Sequence, residues 1–210
     1  MKNIINQLAK ARLVPVIVIK DAAKAVPLAQ ALYDGGLPCA EVTLRTPDAI
    51  EAIRAIAQAL PEMLLGAGTV LTTAQADAAK AAGAKYMVAP GLNPDVVKHC
   101  LSIEMPTIPG VCTPSEVELG LSLGLDALKF FPAEAAGGVG MLKSLAGPYG
   151  GVKFLPTGGI SHTNLHDYLA LKSVFACGGS WMVKDELIDA EDFAQITELT
   201  RAAVELANAV

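Results

Sequence analysis

The sequence is poor in charged residues and has no long apolar run, and these absences exclude several classes of protein. Charged side chains make up 18% of the 210 residues without any cluster of lysine and arginine, and the formal net charge is −5. Such an acidic chain is a poor partner for nucleic acid or an anionic membrane surface. No apolar stretch approaches the roughly 18 residues of a membrane-spanning helix, and the first residues lack a signal-peptide core. We therefore expect a cytoplasmic protein that binds neither nucleic acid nor membranes.

Cysteine and histidine are also sparse, and their spacing is not that of a metal site or a disulfide framework. No two cysteines form a CxxC pair, the spacing typical of structural zinc sites. His162 and His166 are four residues apart, but no convincing third ligand accompanies them. We therefore predict surface histidines, reduced cysteines and no bound metal. The cysteines are Cys39, Cys100, Cys112 and Cys177.

The sequence does contain a repeated unit of a short apolar strand, a turn and a helical segment. Hydrophobic residues make up 52% of the chain, which argues against disorder. Eight units at spacings of about two dozen residues predict a single (β/α)8 barrel domain over residues 1–210, with a short N-terminal helix over Lys2–Ala11. A doubly wound parallel sheet is the alternative, although no glycine-rich dinucleotide fingerprint follows the first strand. The predicted strands are Val14–Ile19, Cys39–Leu44, Leu64–Gly68, Tyr86–Ala89, Thr107–Pro109, Ala127–Phe131, Val152–Leu155 and Val174–Cys177.

Polar residues and prolines mark the starts of the predicted helices. Thr46-Pro47 offers an N-cap and a proline at the first helical position, and Asn93-Pro94 repeats the pattern. Thr113 and Glu116 have the spacing of a capping box. An apolar stripe predicts the last helix over Glu191–Asn208.

Lys129 lies in the middle of an apolar strand that ends at a proline. Burying an ammonium group is unfavourable unless the group is paired or gives up its proton. Lys129 is therefore a candidate amine nucleophile, although a lysine whose head group reaches solvent is an open alternative. Lys20 is a rival amine, but Asp21 follows it directly, which favours a solvated residue at the rim.

The second and third predicted strands carry further polar candidates. Alternation along the second strand places Glu41, Thr43 and Arg45 on the face opposite its apolar residues, with Glu41 deep and Arg45 near the rim. Arg45 suits a bidentate carboxylate contact, whereas a structural ion-pair network is the alternative. The third strand ends in Gly66-Ala67-Gly68-Thr69. Its small residues leave room and bring a hydroxyl to the rim, although a plain turn threonine fits the spacing equally well.

Two glycine pairs follow the seventh and eighth predicted strands, in Thr157-Gly158-Gly159 and Gly178-Gly179-Ser180. Paired glycines allow backbone N–H groups to approach an anion closely. Barrel enzymes frequently bind phosphate with the loops at these two positions. We predict a phosphate site there, with ordinary turns as the alternative.

These residues together define a reaction class. A lysine amine condenses with a ketone to form a Schiff base, an electron sink that allows a carbon–carbon bond to break or form. That chemistry needs neither a metal nor a cofactor. Arg45 would hold a carboxylate beside the carbonyl, and Glu41 would move protons directly or through one water.

The chain resembles the 2-keto-3-deoxy-6-phosphogluconate (KDPG) aldolase family, which includes 4-hydroxy-2-oxoglutarate (KHG) aldolases. The resemblance covers essentially the whole chain. Where relatives often have serine, this chain has Ala89, a change that touches no expected catalytic role. The motifs that carry the resemblance are Val14-Pro15-Val16-Ile17, Glu41-Val42-Thr43-Leu44-Arg45-Thr46, Gly66-Ala67-Gly68-Thr69-Val70, Lys129-Phe130-Phe131-Pro132-Ala133-Glu134, Pro156-Thr157-Gly158-Gly159-Ile160 and Gly178-Gly179-Ser180-Trp181.

The resemblance implies a role for each candidate residue and a homotrimeric barrel. It makes Lys129 the Schiff-base lysine and Glu41 the general acid and base, with Arg45, Thr69 and Lys129 binding pyruvate or its carboxylate. It assigns the substrate phosphate to the two glycine segments, through Thr157, Gly158, Gly159, Gly179 and Ser180.

The implied reaction is reversible cleavage of KDPG to pyruvate and glyceraldehyde 3-phosphate in the Entner–Doudoroff pathway. A second activity on 4-hydroxy-2-oxoglutarate, giving pyruvate and glyoxylate, is also expected. Two alternatives remain open: an enzyme for the galactonate epimer of the substrate, and a non-catalytic barrel that binds sugar phosphates.

Overall fold

The computed structural model describes residues 2–209, in which short parallel strands alternate with helices. The predicted α/β class is therefore confirmed. Nine strand segments occur in this range. They are β1 (Leu13–Ile17), β2 (Cys39–Thr43), β3 (Leu64–Gly68), β4 (Tyr86–Val88), β5 (Thr107–Ile108), β6 (Gly110–Val111), β7 (Ala127–Phe130), β8 (Lys153–Pro156) and β9 (Cys177–Gly179).

Ten α-helices and one short 3-10 helix connect these strands within residues 2–209. No helix in this range is long and apolar enough to cross a membrane. The 3-10 helix is Ala22–Lys24, and the α-helices are α1 (Lys2–Ala11), α2 (Ala25–Asp34), α3 (Ala49–Ala59), α4 (Thr73–Ala82), α5 (Pro94–Ser102), α6 (Pro114–Ser122), α7 (Gly138–Ala146), α8 (Leu165–Leu169), α9 (Asp185–Asp189) and α10 (Phe193–Asn208).

The strands form a six-stranded sheet in the order β5-β4-β3-β2-β1-β9 and a three-stranded sheet in the order β6-β7-β8. Every pairing is parallel. Two isolated parallel bridges, Phe154 with Val174 and Thr157 with Gly178, join the β8 region to the region of β9. At the other end, only Pro109 separates β5 from β6. The predicted fifth strand therefore ends one residue early, at Ile108, and a further segment, β6, follows Pro109, because proline has no N–H for a ladder hydrogen bond.

Other predicted boundaries also change. The first strand ends at Ile17 rather than at residue 19, and β2 ends at Thr43 rather than at residue 44. Strand β9 begins where the predicted eighth strand ends, so the glycine pair expected in the following loop lies inside the strand. The last helix begins at Phe193 with Asp192 as its N-cap.

The predicted helix starts are confirmed at two positions and wrong at one. Asn93 caps α5, and Thr113 forms a capping box with Glu116. Helix α3 instead begins at Ala49, after the predicted proline position. The Thr46 hydroxyl donates to the carbonyl of Ile19, so it is engaged with the end of β1 and does not cap the helix.

The strand face away from helices α2–α10 is apolar at its N-terminal end and polar at its C-terminal end. Helix α1 covers the apolar end through Leu8. Two residues further along three of the strands, on the same face, Glu41, Lys129 and Thr157 take the places of apolar residues. The buried apolar residues are Leu8, Val14, Cys39, Leu64, Tyr86, Val88, Ile108, Ala127, Leu155, Phe175 and Ala176.

Candidate active site

Lys129 of β7 and Glu41 of β2 meet on the polar part of this face. The Nζ of Lys129 lies 3.3 Å from the Oε1 of Glu41. The two residues are only 4% and 1% exposed. The second carboxylate oxygen of Glu41 is buried and has no hydrogen-bond partner among residues 2–209. The structure therefore brings together the two residues predicted to be catalytic, with one carboxylate oxygen left for a further donor.

The glycines of β3 make room for this pair and for a buried aromatic ring. A Cβ at Gly68 would lie 2.7 Å from the Cγ of Glu41, and a Cβ at Gly66 would lie 2.7 Å from the Cε1 of Tyr86. Cβ atoms in proteins essentially never make contacts under 3.0 Å, so a side chain at either position would force its neighbour to move. The Tyr86 hydroxyl donates to the carbonyl of Ala40 over 3.1 Å. Burial raises the pKa of Tyr86 well above its ordinary value, so this group stays protonated.

Phe131 forms an aromatic wall beside the lysine. Its ring centroid lies 5.2 Å from the Nζ of Lys129, within the range of a cation–π interaction. The ring also lines a cavity that opens towards the glycine segments. In the sequence Phe131 is the last residue of a predicted strand, and a ring in an apolar run carries no signal of its contact with a cation.

Arg45 and Thr69 come together at the rim. The Nε of Arg45 donates to the Oγ1 of Thr69 over 3.2 Å. Thr69 has a φ of +57°, an uncommon conformation for a residue other than glycine. Arg45 lies in a turn after β2 rather than on the strand, and it is exposed. Its guanidinium group is therefore free to contact an anion that enters from solvent.

A cavity of about 190 Å³ lies between the ends of β1, β8 and β9. All five residues predicted to bind phosphate line it, together with Arg45. A wider opening of about 750 Å³ shares Arg45 and Ser180 and leads to solvent. The cavity is lined by Val16, Arg45, Phe131, Thr157, Gly158, Gly159, Ile160, Gly178, Gly179 and Ser180.

The segment after β8 turns its carbonyl groups away from this cavity. The carbonyl of Thr157 accepts from the N–H of Ala133 over 2.8 Å, and that of Gly158 accepts from the N–H of Glu134 over 3.0 Å. Both donors follow Lys129 along the chain. The backbone of Ala133 and Glu134 thus fixes the first glycine segment through two hydrogen bonds.

The next carbonyl is also occupied, while the neighbouring N–H groups are not. The side-chain amide of Asn164 donates to the carbonyl of Gly159 over 3.0 Å. Among the described residues, the N–H groups of Gly158 and Gly159 have no protein acceptor. Both glycines have positive φ, +100° and +80°, a conformation that only glycine adopts readily. Successive unpaired N–H groups in such a turn form a site for an anion.

The second glycine pair differs from the prediction. Gly178 and Gly179 belong to β9, and they make room for neighbours. A Cβ at Gly178 would lie 2.9 Å from the Cγ2 of Thr157, and one at Gly179 would lie 2.6 Å from the Cε3 of Trp181. Of this segment, the exposed Ser180 is the residue that offers a side-chain hydrogen bond at the mouth of the cavity.

The rival candidates lie outside the site. Lys20 forms ion pairs with Asp185 at 2.8 Å and Asp189 at 3.4 Å. Hydrogen bonds to these two carboxylates raise the pKa of Lys20, which makes it a poorer nucleophile. His162 and His166 are exposed, as predicted. Residues 2–209 contain no group of three or more histidine, cysteine, aspartate and glutamate side chains arranged to hold a metal.

The four cysteines are free thiols. Cys39, Cys100 and Cys177 are buried. Burial raises the pKa of Cys39 to about 12, and it also raises the pKa of Cys100 and of Cys177. Since the thiolate is the reactive form, none of these three buried thiols is a nucleophile near neutral pH. Among the buried groups with nucleophilic chemistry, the amine of Lys129 remains.

A buried lysine paired with a carboxylate lies at the carboxyl ends of parallel strands, near a turn with two glycines of positive φ. This arrangement is typical of lysine-dependent lyases. The family model described as KDPG and KHG aldolase matches residues 4–199. The chain belongs to that aldolase family.

Three similar proteins illustrate the likeness. A 2-dehydro-3-deoxy-phosphogluconate aldolase of Treponema pallidum is 50% identical over 206 residues, covering 98% of each chain. The KDPG aldolase of Legionella pneumophila, solved with pyruvate as a covalent carbinolamine, has a TM-score of 0.92 and 45% identity, covering 95% of this chain and 97% of that one. The aldolase of Zymomonas mobilis ZM4, solved with 3-phosphoglycerate, also has a TM-score of 0.92 and 45% identity, covering 97% and 96% of the chains.

Proposed function

We propose that this protein is a class I aldolase that cleaves KDPG reversibly to pyruvate and glyceraldehyde 3-phosphate, the reaction of the Entner–Doudoroff pathway. The buried Lys129–Glu41 pair is the observation that carries this proposal. An amine that attacks a ketone must first lose a proton, and the Oε1 of Glu41 lies within reach of the Nζ that holds it.

The proposed reaction begins at the ketone of the substrate. The neutral amine of Lys129 adds to C2 to give a carbinolamine, and proton transfers through Glu41 allow water to leave as the iminium forms. Removal of the proton from the C4 hydroxyl breaks the C3–C4 bond, and the bonding electrons move into the iminium as an enamine. Glyceraldehyde 3-phosphate is released. Protonation at C3 and addition of water then free pyruvate and the lysine.

In this proposal the protein binds the substrate at its two charged ends, the carboxylate and the phosphate. Arg45, with Thr69 as its hydrogen-bond partner, receives the carboxylate beside the ketone. The unpaired N–H groups of Gly158 and Gly159, with Thr157, Gly179 and Ser180 around them, receive the phosphate. Holding both ends fixes the ketone against the amine, which lowers the entropic part of the barrier.

The direct test is a coupled assay of pyruvate release from KDPG. Activity should disappear in the double variant Lys129→Met with Glu41→Gln. The double variant is a better test than Lys129→Met alone. The single substitution leaves the Glu41 carboxylate buried and unpaired, which lowers the free energy of unfolding by about 3–5 kcal/mol. Binding of the sugar phosphate without pyruvate release from the parent protein would favour the alternative of a non-catalytic binding barrel.

Substrate preference is tested in the same assay. We propose a second activity on 4-hydroxy-2-oxoglutarate, which gives pyruvate and glyoxylate and does not use the phosphate site. The galactonate epimer differs from KDPG at one stereocentre and is the other candidate substrate. A kcat/KM for the galactonate compound above that for KDPG would make this alternative the main activity.

We further propose a single catalytic domain whose two sheets close into one eight-stranded barrel, assembled as a homotrimer in the cytoplasm. The shared Pro109 and the two bridges to the β9 region support closure, and the family resemblance supports the trimer. A cytoplasmic location fits a substrate whose charges prevent free passage through a bilayer. Sedimentation equilibrium tests the trimer, and a monomer mass in active protein would contradict it.

A further inference from the structure

A buried tyrosine lies behind the glycine segment of the proposed phosphate site. Tyr168 of α8 is fully buried, and its hydroxyl donates to the Oε1 of Glu134. Glu134 follows the lysine strand, and its own N–H donates to the carbonyl of Gly158 over 3.0 Å. Glu134 is thus joined to the glycine segment through its backbone and to the buried Tyr168 of α8 through its side chain.

The stem of Glu134 also fits the next glycine. A Cβ at Gly159 would lie 2.6 Å from both the Cβ and the Cγ of Glu134. The side chain of Glu134 therefore fills the space that a side chain at Gly159 would need. Gly159 has a φ of +80°, a conformation that glycine adopts readily. Movement of the glutamate side chain would remove the support on which this turn rests.

Glu134 is absent from the residues that line the anion cavity. Its carboxylate instead contacts Tyr168 and lies close to Gly138. A Cβ at Gly138 would lie 3.1 Å from the Oε1 of Glu134. Burial and the neighbouring carboxylate raise the pKa of Tyr168. The phenol consequently stays a hydrogen-bond donor throughout the neutral range, and the carboxylate keeps its partner.

We propose that Tyr168 and Glu134 are positioning residues that hold the turn at Gly158 and Gly159 in the conformation that binds the substrate phosphate. They act through the backbone and do not touch the substrate. Since 4-hydroxy-2-oxoglutarate has no phosphate, this contact sets the preference between the two proposed substrates without affecting the lysine. The inference rests on the proposed aldolase function.

The first test is Tyr168→Phe, which removes one hydroxyl and keeps the ring that packs in the core. We expect KM for KDPG to rise about fivefold to tenfold, the net worth of a typical hydrogen bond, with kcat nearly unchanged. KM for 4-hydroxy-2-oxoglutarate should stay at the parent value. Inhibition of KDPG cleavage by inorganic phosphate should weaken by the same factor as the affinity for KDPG.

A matched control exists elsewhere on the chain. The hydroxyl of Tyr149 donates to Glu118 over 2.9 Å, and neither residue lines the anion cavity. Tyr149→Phe removes a hydrogen bond of the same type and should leave both KM values unchanged. A rise in KM for KDPG in this variant equal to that in Tyr168→Phe would overturn the proposal.

Glu134 supplies a second test that does not alter the core. Glu134→Gln keeps the stem and the oxygen that accepts from Tyr168, so it should retain most of the affinity for KDPG. Glu134→Ala removes both and should raise KM at least as much as Tyr168→Phe. Equal effects of the two substitutions, or an equal rise in KM for both substrates, would contradict a positioning role.

The outcome separates this inference from the proposed function. Trapping of pyruvate on Lys129 in the parent and in Tyr168→Phe shows that the lysine chemistry is intact. If trapping succeeds and Tyr168→Phe binds KDPG normally, the positioning role is wrong while the aldolase stands. If the parent itself traps no pyruvate, the aldolase proposal fails.

Discussion

Gly68 lies diagonally across the β2–β3 pair from Glu41, and the carboxylate occupies the space that any side chain at Gly68 would need. A Cβ there would lie 2.7 Å from the Cγ of Glu41 and closer still to its Oε1. Because Glu41 is only 1% exposed, a side chain at Gly68 would displace the carboxylate within the interior rather than into solvent. The geometry of the lysine–carboxylate pair therefore depends on a residue that carries no functional group.

The substitution Gly68→Ala should displace Glu41 and lower kcat/KM for KDPG by about 100-fold, the cost of moving a catalytic group by about 1 Å. Gly151→Ala is the matched control, since a Cβ at Gly151 would meet nothing within 4 Å. Steady-state assays of both variants check the prediction. Near-parent activity in Gly68→Ala would show that the position of the carboxylate is unimportant.

The substitution Glu41→Gln separates proton transfer from binding. The amide has the shape of the carboxylate but cannot carry a proton between substrate atoms. We expect exchange of the pyruvate methyl protons with D2O to slow much more than pyruvate binding weakens. Nuclear magnetic resonance of the methyl signal measures the exchange. Equal exchange rates in the variant and the parent would exclude Glu41 as the acid and base.

Ser180→Glu tests which end of the site receives the phosphate. Ser180 lines the anion cavity with the two glycines, so a carboxylate there should repel a phosphate and raise KM for KDPG more than tenfold, on the scale of about 1.4 kcal/mol per factor of ten. Cleavage of 4-hydroxy-2-oxoglutarate should change little. Ser180→Gln has similar bulk without charge and should affect KDPG less. Equal losses for both substrates would place the phosphate elsewhere.

Glu116 gives a prediction for stability rather than for activity. Burial opposes its ionisation, but hydrogen bonds from the N–H of Cys112 and from Thr113 outweigh burial and lower its pKa below the ordinary 4.5. A carboxyl group with a lowered folded-state pKa stabilises the protein above its ordinary pKa. This contribution is lost as the pH falls through the lowered value.

Glu116→Ala should therefore reduce the free energy of unfolding at pH 7 by roughly 1 kcal/mol, the worth of a helix cap, and by less in acid. Gln75 forms the equivalent capping box with Thr72 at the start of α4. Gln75→Ala is the uncharged control, and its cost should not depend on pH. Urea unfolding at pH 7 and pH 3 measures both. A cost of Glu116→Ala that stays constant with pH would contradict the assigned ionisation.

The sequence predicted the parts of the site that depend on strand periodicity. Alternation of side chains put Glu41 on the face opposite the apolar residues of its strand, and the cost of burying an ammonium group made Lys129 a candidate nucleophile. Both residues lie where this reasoning placed them. The α/β class and the capping box at Thr113 are local patterns of the same kind.

The parts that depend on contacts distant in sequence were not predicted. Thr46 has the pattern of an N-cap, yet its hydroxyl reaches the end of β1. Gly178 and Gly179 were predicted in a loop, yet they belong to β9, where Gly178 leaves space for the distant Thr157. The bond between Tyr168 and Glu134 spans 34 residues, and no spacing rule links residues so far apart.

Borohydride reduction in the presence of pyruvate, followed by peptide mass mapping, tests the central claim most directly. Borohydride reduces an iminium to a stable secondary amine and so fixes pyruvate to the nucleophile. The account predicts one adduct, on Lys129, formed only when pyruvate is present. An adduct on Lys20 would keep the reaction class and overturn the site, and folded protein without any adduct would contradict the account.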